Sequence, residues 1–191
     1  MAYEGKADTL TDSQMEQFKE YLLDCPHSKR DMAIFSLGTK AGLRIGTIAL
    51  LEWSDVYTLD GEVRDVSSIA SSKVKGNKPY RAYFTNPELR LALAEHYKTN
   101  KRDSKTIFVS QKGTSFTPNS LQRLMYNHFK RVGFQGNYSS HSMRRTFATN
   151  LIRSGVDIIL LKNLMNHSNI ATTAGYVYTD DVTLMSAVNN I

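Results

Sequence analysis

Apolar positions recur at helical spacing over most of the chain. After a short polar lead, Thr11-Asp12-Ser13-Gln14 offers a capping box, and Met15, Phe18, Tyr21 and Leu22 repeat every three or four residues, which predicts a first amphipathic helix. A second is predicted through DMAIFSLGTKAG, with Gly42 marking its end, and a third through RIGTIALLEW. Between Asp55 and Thr85 the texture turns β-branched and aromatic. VRDVSSIA and PYRAYF are predicted as strands of a small antiparallel sheet around the turn-rich KVKGNK. Asn86-Pro87 opens a helix through LRLALAEHY, IFVS is expected as a short strand, and Pro118-Asn119-Ser120 begins a helix carrying Leu121, Leu124, Met125 and Phe129. The rest is predicted helical. One helix starts near Ser140, and Gly155 separates it from an apolar stripe of Ile158, Leu161, Leu164 and Met165. Ser168 and Asn169 then cap a short helix carrying Tyr176 and Tyr178. The fold class expected is α+β, mainly α: a helical domain with a small antiparallel β-sheet.

Length and charge narrow the class. A chain of 191 residues with no internal repeat or Pro/Ser/Gly linker is expected to form one domain. With 24 Lys and Arg against 18 Asp and Glu the net charge is +6, which favours a polyanionic partner. Cys25 is the only cysteine, so an internal disulfide, a four-cysteine zinc site and a redox cysteine pair are excluded, and a reducing cytoplasm fits best. The richest apolar run, VDIILLKNLM, is broken by Lys162 and Asn163, and MAYEGKADTL lacks a signal-peptide core, so no membrane partner is expected.

The densest candidate chemistry lies in residues 141–178, HSMRRTFATNLIRSGVDIILLKNLMNHSNIATTAGYVY. His141 and Arg144 are three residues apart and share a helix face, His167 falls at a helix end, and two tyrosines follow. Arginine suits phosphate because its planar fork gives bidentate, permanently charged hydrogen bonds, and two would match one phosphodiester. A tyrosine oxygen can then attack phosphorus and conserve the bond energy in a covalent phosphotyrosine, without cofactor, metal or nucleotide. The expelled alcohol needs a proton, a role for a lysine or histidine, and the lysine-rich turn can supply one. His141 and His167 have no cysteine or carboxylate at ligand spacing, so no metal site is expected.

HSMRRTFATN followed by LMNHSNIATTAGY resembles the paired signature of the tyrosine recombinase (phage integrase) family: His-x-x-Arg, then a His with a Tyr nine residues on. AGLRIGTIALLEWSDV resembles the family's first arginine motif, and KVKGNKPYRAYF its strand-turn-strand lysine. Four motifs in order over residues 8–180 are a specific signal where any one would be weak. The resemblance implies the recombinase catalytic fold, with Arg44 and Arg144 clamping the scissile phosphate and Lys75 as general acid to the leaving 5′ hydroxyl. It also implies that His141 assists proton transfer, His167 hydrogen-bonds the phosphate, and Tyr176 makes the 3′-phosphotyrosine link. Tyr178 stays open as an alternative nucleophile and Lys73 as a rival acid, since a shift of two residues in a hairpin keeps a side chain on its face. Lys73, Lys78, Arg123, Arg145 and Lys162 are candidate DNA contacts, although a charged helix face explains the helical ones about as well.

The implied partners are double-stranded DNA, three further copies of the chain in a tetramer exchanging the C-terminal helix of residues 181–191, and an accessory DNA-bending protein. The implied setting is the cytoplasm of a prokaryotic or phage-infected cell, at the nucleoid. The implied outcome is integration, excision or inversion of a mobile element. The other readings are a type IB topoisomerase-like relaxer and a non-catalytic DNA-binding regulator. Three departures from the family pattern stand out. Thr47 replaces the usual acidic residue after the first arginine, Asn166 replaces the usual glycine before the second histidine, and the catalytic motifs begin almost at once. Residues 1–191 are accordingly expected to be a single catalytic domain without the N-terminal core-binding domain, as a fragment or as a short form like the fimbrial phase-switch recombinases.

Overall fold

The computed structural model describes residues 6–74, 79–99 and 103–176. The backbone falls into two compact units, Met1–Phe147 and Ala148–Ile191. In the first unit the Thr11 side chain caps α1 (Asp12–Leu23) and Gln14 answers it, the reciprocal box the sequence predicts. α2 (Ser28–Lys40) follows and packs along α5 (Pro87–Thr99), while α3 (Ile45–Ala49) packs on α6 (Pro118–Val132). Phe18 sits at the centre, its ring 4.4 Å from Phe129 and 4.7 Å from Phe35. Leu22, Ile34, Leu37 and Ile48 are fully buried around it.

β1 (Val66–Ile69) and β2 (Tyr80–Tyr83) pair antiparallel with Val66 opposite Tyr83 and Ile69 opposite Tyr80. This is the small sheet read from the alternating residues. Between the strands Ser71–Lys73 forms a 3-10 turn, and Lys75 and Lys78 lie outside the described residues.

Two expected elements of the first unit differ. RIGTIALLEW does not form one helix, because Glu52 starts a new turn: it caps α4 (Trp53–Val56) in a reciprocal box with Asp55, whose carboxylate accepts the Glu52 N–H at 2.8 Å. IFVS is not a strand. Ile107 and Phe108 are both fully buried, so no alternation holds, and only isolated bridges, Glu52 to Thr106 and Val109 to Ser115, form there. Ile107 N–H bonds to the Leu51 carbonyl instead.

A polar chain crosses the first unit. Arg30 Nε donates to Asp31 Oδ1 at 2.7 Å, His128 Nε2 lies 3.2 Å from Asp31 Oδ2, and His128 Nδ1 lies 3.0 Å from the Tyr21 hydroxyl. Burial alone would raise the Asp31 pKa, yet hydrogen bonds from His128 and Arg30 hold the carboxyl below its ordinary value.

α7 (Ser140–Arg153) begins in the first unit and ends in the second. It stops at Gly155, whose φ of 83° lets the N–H groups of Gly155 and Val156 turn back to Ile152 and Leu151. Asp157 then caps α8 (Ile158–Leu164), and Asn169 caps the short α9 (Ile170–Ala174) that packs on it. α9 does not extend to Tyr176 as expected, since Gly175 ends it. Tyr178 and the expected tail helix lie outside the described residues, among which no helix is long and apolar enough to cross a membrane.

Candidate active site

The first unit brings together two arginines a hundred positions apart in sequence. α2 ends at Lys40, and the chain reverses through Gly42 at φ 62°, a conformation other residues adopt only with strain. Two residues on, Arg44 is the N-cap of α3. From α7, Arg144 is only 5% exposed and donates its guanidinium N–H to the Gly42 carbonyl. The two motifs therefore meet through one backbone carbonyl. The Tyr80 phenol is pushed up to about 12 by burial, against the Arg144 and Arg44 guanidiniums, which both act on it in the opposite sense.

His141 sits one turn before Arg144 on α7 and is exposed. Lys73 stands 2.6 Å from Asp55 Oδ2 and 3.3 Å from Glu52 Oε1, and Lys105 lies 3.2 Å from the same Glu52 oxygen. Against the effect of burial, hydrogen bonds from Lys105 and Lys73 hold the Glu52 carboxyl below its usual range. Thr47, in place of an acidic residue, is buried on α3.

The second unit holds His167 and Tyr176. α8 ends in a Schellman turn in which Asn166, at φ 47°, takes the place usually given to glycine. Asn166 N–H returns to the Asn163 carbonyl at 3.0 Å and His167 N–H to the Lys162 carbonyl at 3.0 Å, which fixes the His167 backbone. The imidazole is buried, its Nδ1 2.9 Å from Thr173 Oγ1, and its ring stacks on that of Tyr176 at 5.9 Å between centroids. The Tyr176 N–H also bonds to the Thr173 carbonyl, so Thr173 ties both residues. No motif singled out Thr173. A buried threonine in a short helix has no sequence signal apart from its distance to the two residues it serves.

Of the other candidates, Arg123 is exposed on α6, Arg145 is partly buried on α7, and Lys162 is partly buried in the last turn of α8. Arg123 has company that the sequence reading passed over. Asn119, Gln122, Tyr126 and Asn127 share its polar face and, with Ser139, line a groove of about 510 Å³. Side chains of this kind can hydrogen-bond base edges and phosphates. Among the described residues no three His, Cys, Asp or Glu side chains are grouped as metal ligands.

Comparison with known proteins gives the same family as the motifs. The chain matches the phage integrase family over residues 8–182. Tyrosine recombinase XerC of Caldanaerobacter subterraneus subsp. tengcongensis is 32% identical over 183 residues, covering 92% of this chain and 49% of that protein. Tyrosine recombinase XerC of Vibrio cholerae is 31% identical over 176 residues, covering 87% and 52%. The chain thus spans about half the length of these relatives. The crystal structure of XerA recombinase superposes with a TM-score of 0.79 at 25% identity, over 97% of this chain and 65% of that one. The Tn1549 transposon integrase in complex with transposon right-end DNA has the same fold, with a TM-score of 0.75 at 20% identity over 100% and 67%. With its arginine, histidine and tyrosine motifs inside the matched span, this chain belongs to the phage integrase family.

Proposed function

We propose that this chain is the catalytic part of a site-specific DNA recombinase that cuts and rejoins DNA through a 3′-phosphotyrosine. The observation that supports the reading is that the Arg144 guanidinium bonds the Gly42 carbonyl, two residues before Arg44, which brings the two arginine motifs together, and two arginines suit one phosphodiester. Tyr176 Oη attacks the phosphorus, the P–O5′ bond breaks, and the phosphate stays esterified to Tyr176. His141 takes part in moving the phenol's proton, Lys75 protonates the leaving 5′ oxygen, and His167 hydrogen-bonds the phosphate. In the reverse step a 5′ hydroxyl displaces the tyrosine, so no bond energy is lost. The Lys73 ion pairs with Asp55 and Glu52 favour Lys75 over Lys73 as the acid, since an ammonium already engaged by two carboxylates is not free to turn to the leaving oxygen.

The names of the XerC relatives and the XerA structure support DNA strand exchange over simple relaxation or passive binding. Double-stranded DNA is the partner, contacted by Arg123 and the amides beside it on α6, by Arg145 and Lys162, and by Lys73 and Lys78 near the hairpin. Residues 1–191 act as one catalytic domain, working in the cytoplasm as a tetramer on DNA with an accessory bending protein.

The test uses nicked suicide duplexes tiling the DNA that flanks the coding region. The wild-type chain should form a covalent adduct with one of them and Tyr176→Phe should not. Absence of adduct across the tiled set, over a range of salt, refutes the reading; adduct formed equally by Tyr176→Phe refutes the nucleophile.

A further inference from the structure

The catalytic assignment gives the Thr173 hydroxyl no task. It is fully buried on α9, and among the described residues its Oγ1 has one hydrogen-bond partner, His167 Nδ1 at 2.9 Å. The imidazole is held by more than this bond. Its backbone is fixed by the turn at Asn166, and its ring lies on the Tyr176 ring with 16° between the planes.

A neutral imidazole carries one proton, on Nδ1 or on Nε2, and the partner of one nitrogen decides which. A threonine hydroxyl has a single proton to give. When Oγ1–H donates to Nδ1, both atoms are satisfied and the imidazole proton sits on Nε2. When Nδ1–H donates instead, the hydroxyl proton is left without an acceptor in a place closed to water, which is the costlier arrangement. The contact therefore selects the tautomer with an Nε2–H to offer.

Resting on the cleavage reading above, we propose that Thr173 is a positioning residue of the site: its hydroxyl donates to His167 Nδ1 and so keeps the imidazole a neutral Nε2–H donor to a non-bridging oxygen of the scissile phosphate. Thr173 acts through His167 alone, and no covalent bond forms or breaks at it.

The test exchanges the hydroxyl for a methyl. Thr173→Val keeps the shape of the side chain and the main-chain bond from Tyr176 N–H to the residue 173 carbonyl, Thr173→Ser keeps the hydroxyl, and Thr172→Val, at an exposed position of the same helix, is the control. The first readout needs no DNA. Long-range proton–nitrogen NMR correlation on the whole chain, at about pH 8.5 where imidazoles are neutral, shows which ring nitrogen is protonated. Of the five histidines, His167 is the one whose signals disappear in His167→Gln. Wild type, Thr173→Ser and Thr172→Val should hold the proton on Nε2, and Thr173→Val should move toward the averaged pattern of mixed tautomers. In the second readout, covalent adduct formation is timed on the flanking-DNA duplex that reacts with wild type. Thr173→Val should be slower by roughly tenfold, with Thr173→Ser and Thr172→Val close to wild type.

A His167 proton on Nδ1 in wild type overturns the proposal, and so does a Thr173→Val ring that keeps the wild-type pattern. Wild-type cleavage by Thr173→Val, or equal slowing in Thr173→Val and Thr173→Ser, overturns it as well, the latter by marking a packing role. Where Thr173→Val does not fold, Thr173→Ala removes the hydroxyl without filling its place and is read the same way. If no duplex yields adduct with wild type, the cleavage reading fails, and the NMR pattern still decides whether the hydroxyl sets the tautomer.

Discussion

Gly42 is the turn through which Arg144 reaches the first arginine motif, and replacing it with alanine tests that directly. Its φ of 62° costs an alanine about 1–2 kcal/mol. The new methyl would also sit 2.3 Å from Phe147 Cδ1, 2.6 Å from Cε1 and 3.0 Å from Cγ, a clash with the body of a ring. Overpacking of this kind costs about 1–3 kcal/mol. The two add to about 2–5 kcal/mol, and for a chain of this size that lowers the melting temperature by roughly 4–20 °C. Thermal unfolding by circular dichroism measures it, and a double-mutant cycle with Phe147→Leu separates the steric part, since only the clash is relieved by the smaller partner. Activity should fall further than stability does. At a temperature where Gly42→Ala is fully folded, adduct formation should still drop by about tenfold or more, because the carbonyl that holds Arg144 has moved. Melting within about a degree of wild type, against the shifts this arithmetic requires, would refute the reasoning.

Two further outcomes follow from the same geometry. Asn166→Gly should leave stability within about 0.5 kcal/mol and adduct formation unchanged, whereas Asn166→Ala should cost about 1 kcal/mol and slow the reaction by loosening His167; equal behaviour of the two variants in thermal melts would show that the left-handed turn is not what fixes the histidine. Asp31→Asn should destabilise by about 3–5 kcal/mol near neutral pH, since it leaves Arg30 and His128 buried without their carboxylate. The folded Asp31 pKa lies below the unfolded value of about 3.9, so its contribution is complete above that pH and is lost as pH falls through the folded value. Urea titrations from about pH 5 down to about pH 2 should therefore show a shallower acid limb for Asp31→Asn than for wild type, and parallel limbs would count against the assignment.

What could be read in the sequence was local, and so were the reasons. The cap at Thr11, the helix start at Pro118, the stop at Gly155 and the His141–Arg144 spacing each depend on residues within a few positions of one another, where side chain and backbone meet whatever the rest of the chain does. The two lysines of the hairpin were not separable that way. Alternation kept Lys73 and Lys75 on one face, but Lys73 lies in a 3-10 turn where alternation does not apply, and its ammonium meets Asp55 eighteen residues earlier. The same limit hid Thr173 and the amides of α6, neither of which differs in sequence from an ordinary threonine or a solvated helix face. Composition misled at IFVS for a related reason: four apolar-leaning residues fit a buried turn as well as a strand, and the Leu51 carbonyl took the hydrogen bond that a partner strand would have used.

Gly42 joins these two levels. As a helix stop it is evident from the sequence, and in three dimensions the same lack of a side chain admits the Phe147 ring while its carbonyl receives Arg144. One residue thus ends α2, orients α3 so that Arg44 is its cap, and holds α7 close enough for the second arginine to arrive. The spacing between the two arginine motifs in sequence can therefore vary as long as α7 still reaches this turn, whereas the interval of two residues from Gly42 to Arg44 is what keeps the first arginine next to the carbonyl that receives the second.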